Sequence, residues 1–354
     1  MSIIISILII AFLVFIHELG HFLAAKRAGV LVEEFGIGFP PRLFSWRRGE
    51  TLYTLNLLPL GGFVKIYGEG NEFKDDLRSF ASRSILTRAG IVSAGVAMNA
   101  LFGMVLLIIA YSIGFPSVVT PENKAFIHEQ ALVIADVLPH TPAANAGLKS
   151  GDIVQAVQGT HVDAEGLKTY VSTHSGSALT FSIDRGGTDY TLIATPRATY
   201  PPQEGSLGIA LVDQGMLRYP VGQAMIYGIR DSAVLLGKIV AAFLGLLLSI
   251  FHGGFQGSAV SGPVGVFVIA GRAVQNGLRF VLPLIILITF NLAVMNVLPF
   301  PALDGGRLLF FAIEKIKGKP VDSRLENTIH GIGFAVLLLL MVVLTVGDIK
   351  HFFW

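Results

Sequence analysis

The chain has 354 residues, 53% hydrophobic and only 14% charged, with mean hydropathy +0.67. That balance belongs to a polytopic membrane protein, not to a water-soluble one. The net charge of +2 is small and scattered, so nucleic acid is not expected as a partner. The absence of cysteine removes disulfides and thiolate ligands, leaving histidine and carboxylate as the strong metal ligands.

Residues 3–25 form the first apolar run, and Lys26 and Arg27 follow it. A secretory signal peptide carries its charge before a shorter apolar core. The opposite order here predicts a retained span with its N-terminus outside. Within the run lies His17-Glu18-Leu19-Gly20-His21, an H-E-x-x-H pattern. On a helix, positions four apart share a face, so His17 and His21 can hold one zinc ion together, with Glu18 beside them as a base toward an attacking water. In a soluble helix this spacing also arises by accident. In a membrane span each ionisable group costs about 2.5 kcal/mol or more, which marks a functional site. A catalytic zinc usually takes three protein ligands, so a third is expected from elsewhere.

Residues 26–88 hold ten Lys or Arg residues and are read as cytoplasmic. Inside them, 51–65 carries two β-prone runs around Pro59 and Gly61-Gly62, which predicts a hairpin-like element. It is apolar enough to dip into the membrane if protein covers it, and the pattern equally fits an ordinary cytoplasmic hairpin. Residues 89–116 contain no charge and form the second span, with Asn99 read as interhelical glue. From 117 to 230 charge of both signs returns with punctuating Pro and Gly, which marks a soluble, strand-rich domain.

Residues 232–251 contain a 13-residue apolar run, Ile239 to Phe251, short for a span and suited to an interfacial helix. The loop Gly253–Gly265 follows, with a turn at 261–265. The third span is 281–303, where Pro299 and Pro301 should end the helix and free backbone groups around Asp304. Residues 305–328 hold five Lys or Arg against three acids, again cytoplasmic, and 331–346 form a fourth span. Asp304 reaches the depth of His17 and His21 only if its span also runs outside to inside, which holds if 232–251 does not cross. Position alone equally fits a residue capping loose backbone at a helix end.

These motifs together resemble the bacterial site-2 proteases, over nearly the whole chain. His17-Glu18-Leu19-Gly20-His21 is similar to their H-E-x-G-H, and Asn296-Val-Leu-Pro-Phe-Pro-Ala-Leu-Asp304-Gly to their N-x-x-P-x-P-x-x-D-G. Pro59-Leu-Gly-Gly-Phe-Val-Lys65 resembles part of their membrane-dipping β element, and Ser261-Gly-Pro-Val-Gly their S-G-P-[IV]-G. Ala94-Gly95-Val96-Ala97-Met98-Asn99 resembles their A-G-P-x-x-N, with Val96 in place of the proline. Thr141 to Gly159 resembles the PDZ domains of membrane and secreted proteases, and the chain has room for one such domain, which matches the single-PDZ branch.

The resemblance implies a polytopic α-helical fold of four spans with a membrane-dipping β-hairpin and an inserted extracytoplasmic PDZ domain at 117–215. The first membrane half is 1–116, an interfacial linker and helix occupy 216–280, and the second membrane half is 281–354. It implies one zinc ion on His17, His21 and Asp304, Glu18 as catalytic base, and Asn296 bonded to the substrate backbone. It implies an intramembrane zinc metalloendopeptidase of the bacterial inner membrane, with both termini and the PDZ domain outside and the active site towards the cytoplasm. The partners implied are the lipid bilayer, single-span substrates such as anti-sigma factors or remnant signal peptides, and a peptide ligand of the PDZ domain. Two other classes compete: an ion-coupled transporter, and a membrane-tethered PDZ adaptor with a dead metal site.

Overall fold

The computed structural model describes residues 2–70, 73–201, 204–251, 262–275 and 278–353. In chain order the elements are α1 (Ser2–Arg27), β1 (Val32–Arg48), β2 (Thr51–Ile66), α2 (Ile85–Ile113), β3 (Phe115–Val118), β4 (Ile127–Val137), α3 (Pro142–Asn145), β5 (Ile153–Val157), α4 (Ala164–Thr173), β6 (Leu179–Arg185), β7 (Thr188–Ala194), β8 (Ile209–Leu217), α5 (Val221–Phe251), α6 (Pro263–Gln275), α7 (Leu278–Val297), α8 (Asp304–Lys317) and α9 (Ser323–Phe353). They form two compact units, one from 1–108 with 225–354 and the other from 109–224.

In the first unit, α1 is an uninterrupted apolar run. Lys26 and Arg27 close it, where positive charge meets the partial negative charge of a helix C-terminus. Gly29 follows at φ +68, a left-handed position at which glycine stops a helix without strain. Among the described residues three helices are long and apolar enough to cross a membrane: α1 over Ile4–Arg27, α2 over Ile85–Ile113 and α9 over Ser323–Lys350. A shorter apolar stretch, Val281–Val297, lies in α7.

The strands β1 and β2 form a sheet by folding against each other twice. Val32–Ile37 lies between Leu52–Leu55 on one side and Gly62–Ile66 on the other, while Arg42–Arg48 pairs with Thr51–Asn56. The tight turn is therefore Gly49-Glu50, with Gly49 at φ +61. The expected turn around Pro59 and Gly61-Gly62 is instead a bend inside β2. The element spans 32–66 rather than 51–65. Its first strand was hidden by five charged residues and by Pro40-Pro41, which fall where β1 bends out of register.

The second unit is an antiparallel six-stranded sheet in the order β3-β8-β4-β5-β6-β7. Its core joins Ile134, Leu167, Leu179, Phe181 and Ile183, each at most 1% exposed. The stretch 141–159 runs through α3, the Gly151-Asp152 turn and β5 in that order. Asp163 caps α4 by accepting a bond from the Gly166 amide at 2.8 Å. The chain comes into and leaves this unit side by side: β3 pairs with β8, and the Tyr219 amide donates to the Tyr111 carbonyl at 2.8 Å.

The remaining helices depart from expectation in two ways. The apolar run Ile239 to Phe251 is the end of the 31-residue α5, so a short length no longer argues for an interfacial position. The expected loop Gly253–Gly265 ends in α6, whose first turn donates Gly262 and Gly265 amides to the buried Asp348 carboxylate of α9 at 3.0 and 2.7 Å. Ser261 and the rest of 252–261 lie outside the described residues. The helix of the expected span 281–303 ends at Val297, as its prolines predict, because the peptides before Pro299 and Pro301 disfavour helical backbone and each proline lacks an N–H.

Candidate metal centre

On α1, His17 and His21 lie one turn apart and project to one side, both under 10% exposed. The helix α2 crosses them at close range. A β-carbon on Gly20 would stand 2.8 Å from the Ala94 carbonyl carbon and 2.9 Å from Cα of Gly95. One on Gly95 would stand 2.6 Å from Cε1 of His21 and 2.8 Å from Cε1 of His17. Only glycine at both positions lets the two helices bring backbone against the imidazoles. That contact has a chemical consequence: Nδ1 of His21 donates to the Ile91 carbonyl at 3.0 Å, which leaves Nε2 with its lone pair free to bind a metal.

The third member comes from the second half of the chain. After α7 ends, Leu298–Leu303 turns through Ala302 at φ +76, and α8 starts at Asp304. A non-glycine residue held there costs about 1–3 kcal/mol, so surrounding contacts must impose it. Gly305 and Gly306 pack directly beneath the backbone carbonyls of Leu298 and Phe300, space that a side chain would fill. Farther along α8, Arg307 pairs with Glu69 beyond β2, and Glu314 accepts a 2.6 Å bond from the buried Arg88 of α2. Arg88 also lies over the Phe311 ring at 5.0 Å.

The result is a tight triangle. Oδ2 of Asp304 lies 3.1 Å from Nε2 of His17 and 3.3 Å from Nε2 of His21, and the two nitrogens are 3.1 Å apart. Ligands bonded tetrahedrally to zinc at about 2.0–2.1 Å stand about 3.3 Å from one another, so these three atoms have the spacing of one face of such a site. Among the described residues they form the single cluster of this kind with ligand atoms all within 4.8 Å. Oδ2 of Asp304 is buried and has no hydrogen-bond donor, as expected of an atom shaped for a cation. The residues present therefore fit a zinc ion.

Residues 5–340 match the model of peptidase family M50. The chain belongs to that family. This M50 chain is 34% identical to a zinc metalloprotease RasP of Geobacillus kaustophilus, the match covering 99% of this chain and 98% of the relative. It is 30% identical to a zinc metalloprotease RasP of Shouchella clausii, over 98% of each. It is 28% identical to the regulator of sigma-W protease RasP of Bacillus subtilis, over 99% of each. The family resemblance drawn from the two motifs is borne out, and the M50 chain is a membrane metalloprotease.

Of the other residues singled out in the sequence, Glu18 is half-buried on α1 with its Cγ facing Gly62 of β2. Asn296 is half-buried on the last turn of α7. Asn99 is fully buried on α2, and its backbone carbonyl rather than its amide group meets the Thr289 hydroxyl of α7, at 3.5 Å. Gly20 and Gly95 stood in the sequence only as motif letters, without their packing role, and the Arg307–Glu69 pair and His330 went unmarked. The paired glycines have a local signal, since a glycine inside an apolar helix weakens it by about 1 kcal/mol relative to alanine and asks for a reason.

Proposed function

We propose that this chain is an intramembrane zinc metalloprotease that cleaves the membrane segments of single-span proteins. The observation that carries the reading is the triangle of His17, His21 and Asp304, drawn from the two ends of the chain with zinc-ligand spacing. A zinc ion held there supplies Lewis acidity to the scissile carbonyl and makes water more acidic. Glu18 accepts the proton of the attacking water and returns it to the leaving amine. Asn296 hydrogen-bonds the substrate backbone beside the scissile bond.

A substrate helix hides its carbonyls in its own hydrogen bonds and must be extended before attack. Strand β2 offers an edge at Gly62–Lys65, next to Glu18, where an extended segment can add by backbone pairing. The same sheet exposes Phe39, Leu43, Phe44, Trp46 and Leu57, an apolar surface suited to dipping into the bilayer. We place α7 as a fourth span, the termini and the 109–224 unit outside, and the metal centre towards the cytoplasm of a bacterial inner membrane. That unit is a PDZ domain in this reading. A groove of about 840 Å³ runs along it between α4 and the strand edge Ile209–Leu211, which β3 leaves uncovered. An extended peptide fits there by strand addition, so the unit can select substrates. The relative named as a regulator of sigma-W protease supports membrane-bound transcription regulators, anti-sigma factors among them, as one substrate class.

The test is incubation of purified protein with a panel of single-span substrates, with and without a zinc chelator. Cleavage within the span is expected, lost on chelation and restored by zinc. The Glu18→Gln variant is expected to cleave nothing while keeping its zinc. Chelator-resistant cleavage, or cleavage by that variant, would reject the mechanism.

A further inference from the structure

Asp304 is useful only if the turn before it holds still, and that turn contains a left-handed alanine. Helix α9 grips it at two consecutive points. The Ala302 amide donates to Nδ1 of His330 at 2.8 Å. One turn along the same face of α9, a β-carbon on Gly333 would stand 2.6 Å from the Pro301 carbonyl oxygen and 2.8 Å from its carbon. The Phe310 ring of α8, centred 5.4 Å from the imidazole, closes the other side. Because Nδ1 accepts, the proton of the neutral ring sits on Nε2, and a cationic ring could not make this bond.

We propose that His330 is a positioning residue for the metal centre: its Nδ1 holds the Ala302 backbone in the left-handed conformation that directs the Asp304 carboxylate at His17 and His21. The inference rests on the reading of those three residues as zinc ligands. It extends the support of the centre from the imidazole side, where the Ile91 carbonyl orients His21, to the carboxylate side. Groups that orient metal ligands in this way typically change metal affinity by about 10–100-fold when removed. The role depends on one acceptor atom at one place, which separates it from simple packing. Asparagine carries its side-chain oxygen near the position of Nδ1. Glutamine carries its oxygen one bond farther, towards the position of Nε2.

The experiment compares full-length native protein with His330→Ala, His330→Asn, His330→Gln and Asp304→Ala. Zinc affinity is read by competition with a chromogenic chelator, and ligand geometry by the visible absorption of the cobalt-substituted proteins. Folding of each variant is read by protease resistance. His330→Ala and His330→Gln are expected to bind zinc about 10–100-fold more weakly and to move the cobalt spectrum towards that of Asp304→Ala. His330→Asn is expected to stay within about threefold of native and keep the native spectrum. Native affinity and spectrum in His330→Ala would overturn the proposal while leaving the metal centre intact. So would an asparagine variant that is folded by protease resistance yet binds as weakly as alanine. Native protein that binds no zinc, or an Asp304→Ala variant that binds it as well as native, would overturn the metal centre itself and this inference with it.

Discussion

At Gly95 a single hydrogen atom separates α2 from the two imidazole rings. A methyl group there must push either the helix or the rings, because Cε1 of both His17 and His21 lies within 2.8 Å of its position. Gly95→Ala is therefore expected to weaken zinc binding tenfold or more and to abolish cleavage, with helical content unchanged. Chelator competition and circular dichroism check both halves, and native zinc affinity would contradict the packing argument. The residues of the H-E-x-x-H run were legible in the sequence because helical period alone sets His17 and His21 on one face. The glycines that make room for them were visible as letters but not as causes, since the need for them arises only when a second helix crosses. Asp304 was legible through its prolines, which predict a helix break, and the helix does end at Val297. His330 gave no signal, because a histidine 26 residues downstream carries no local mark of the turn it will hold.

At the scale of elements, the sequence was misleading where charge and proline mask a strand. Val32–Arg48 pairs along most of its length although it contains Pro40-Pro41 and five charged side chains, because both halves pair with 51–56 of β2, one on each side of it, and the first half pairs with 62–66 as well. Single-strand alternation rules assume one steady register, whereas the register of β1 shifts repeatedly and its first half is flanked on both sides. In the second unit the Gly151-Asp152 turn was legible, but its anchor was not. The Asp152 carboxylate is 1% exposed and accepts 2.6 and 2.7 Å bonds from Arg185 of β6, with the Lys149 amide adding a third at 2.8 Å. The carboxylate raises the Arg185 guanidinium above its ordinary pKa, chiefly through that hydrogen bonding. Arg185→Met would strand a buried charge, a loss of about 3 kcal/mol. In the full-length protein, amides of β5 and β6 are then expected to exchange with deuterium roughly a hundredfold faster. Unchanged exchange would show that the pair is not what holds the turn.

The whole chain is a membrane unit interrupted by a second folded unit whose two ends leave side by side, an arrangement that lets a domain be inserted with little strain on its host. Both halves of the host are needed, since α1 and α8 each contribute to the metal triangle. The proposed topology follows from that convergence. If α5 crossed the membrane as well, α8 would start on the side opposite to the inner end of α1. The natural absence of cysteine makes this testable with single replacements at exposed positions. In intact cells, an impermeant thiol reagent is expected to label Thr188→Cys, and to reach Asp75→Cys and Lys319→Cys only after permeabilisation. Labelling of Lys319→Cys in intact cells would require an additional crossing.

The most direct measurement is zinc K-edge X-ray absorption on purified protein carrying Glu18→Gln, compared with the same protein carrying Asp304→Ala in addition. The account predicts one zinc per chain, with two imidazoles and at least one oxygen in the coordination shell, and loss of an oxygen ligand or of the metal when Asp304 is removed. A chain without zinc, or a coordination shell unchanged by the second substitution, would contradict it.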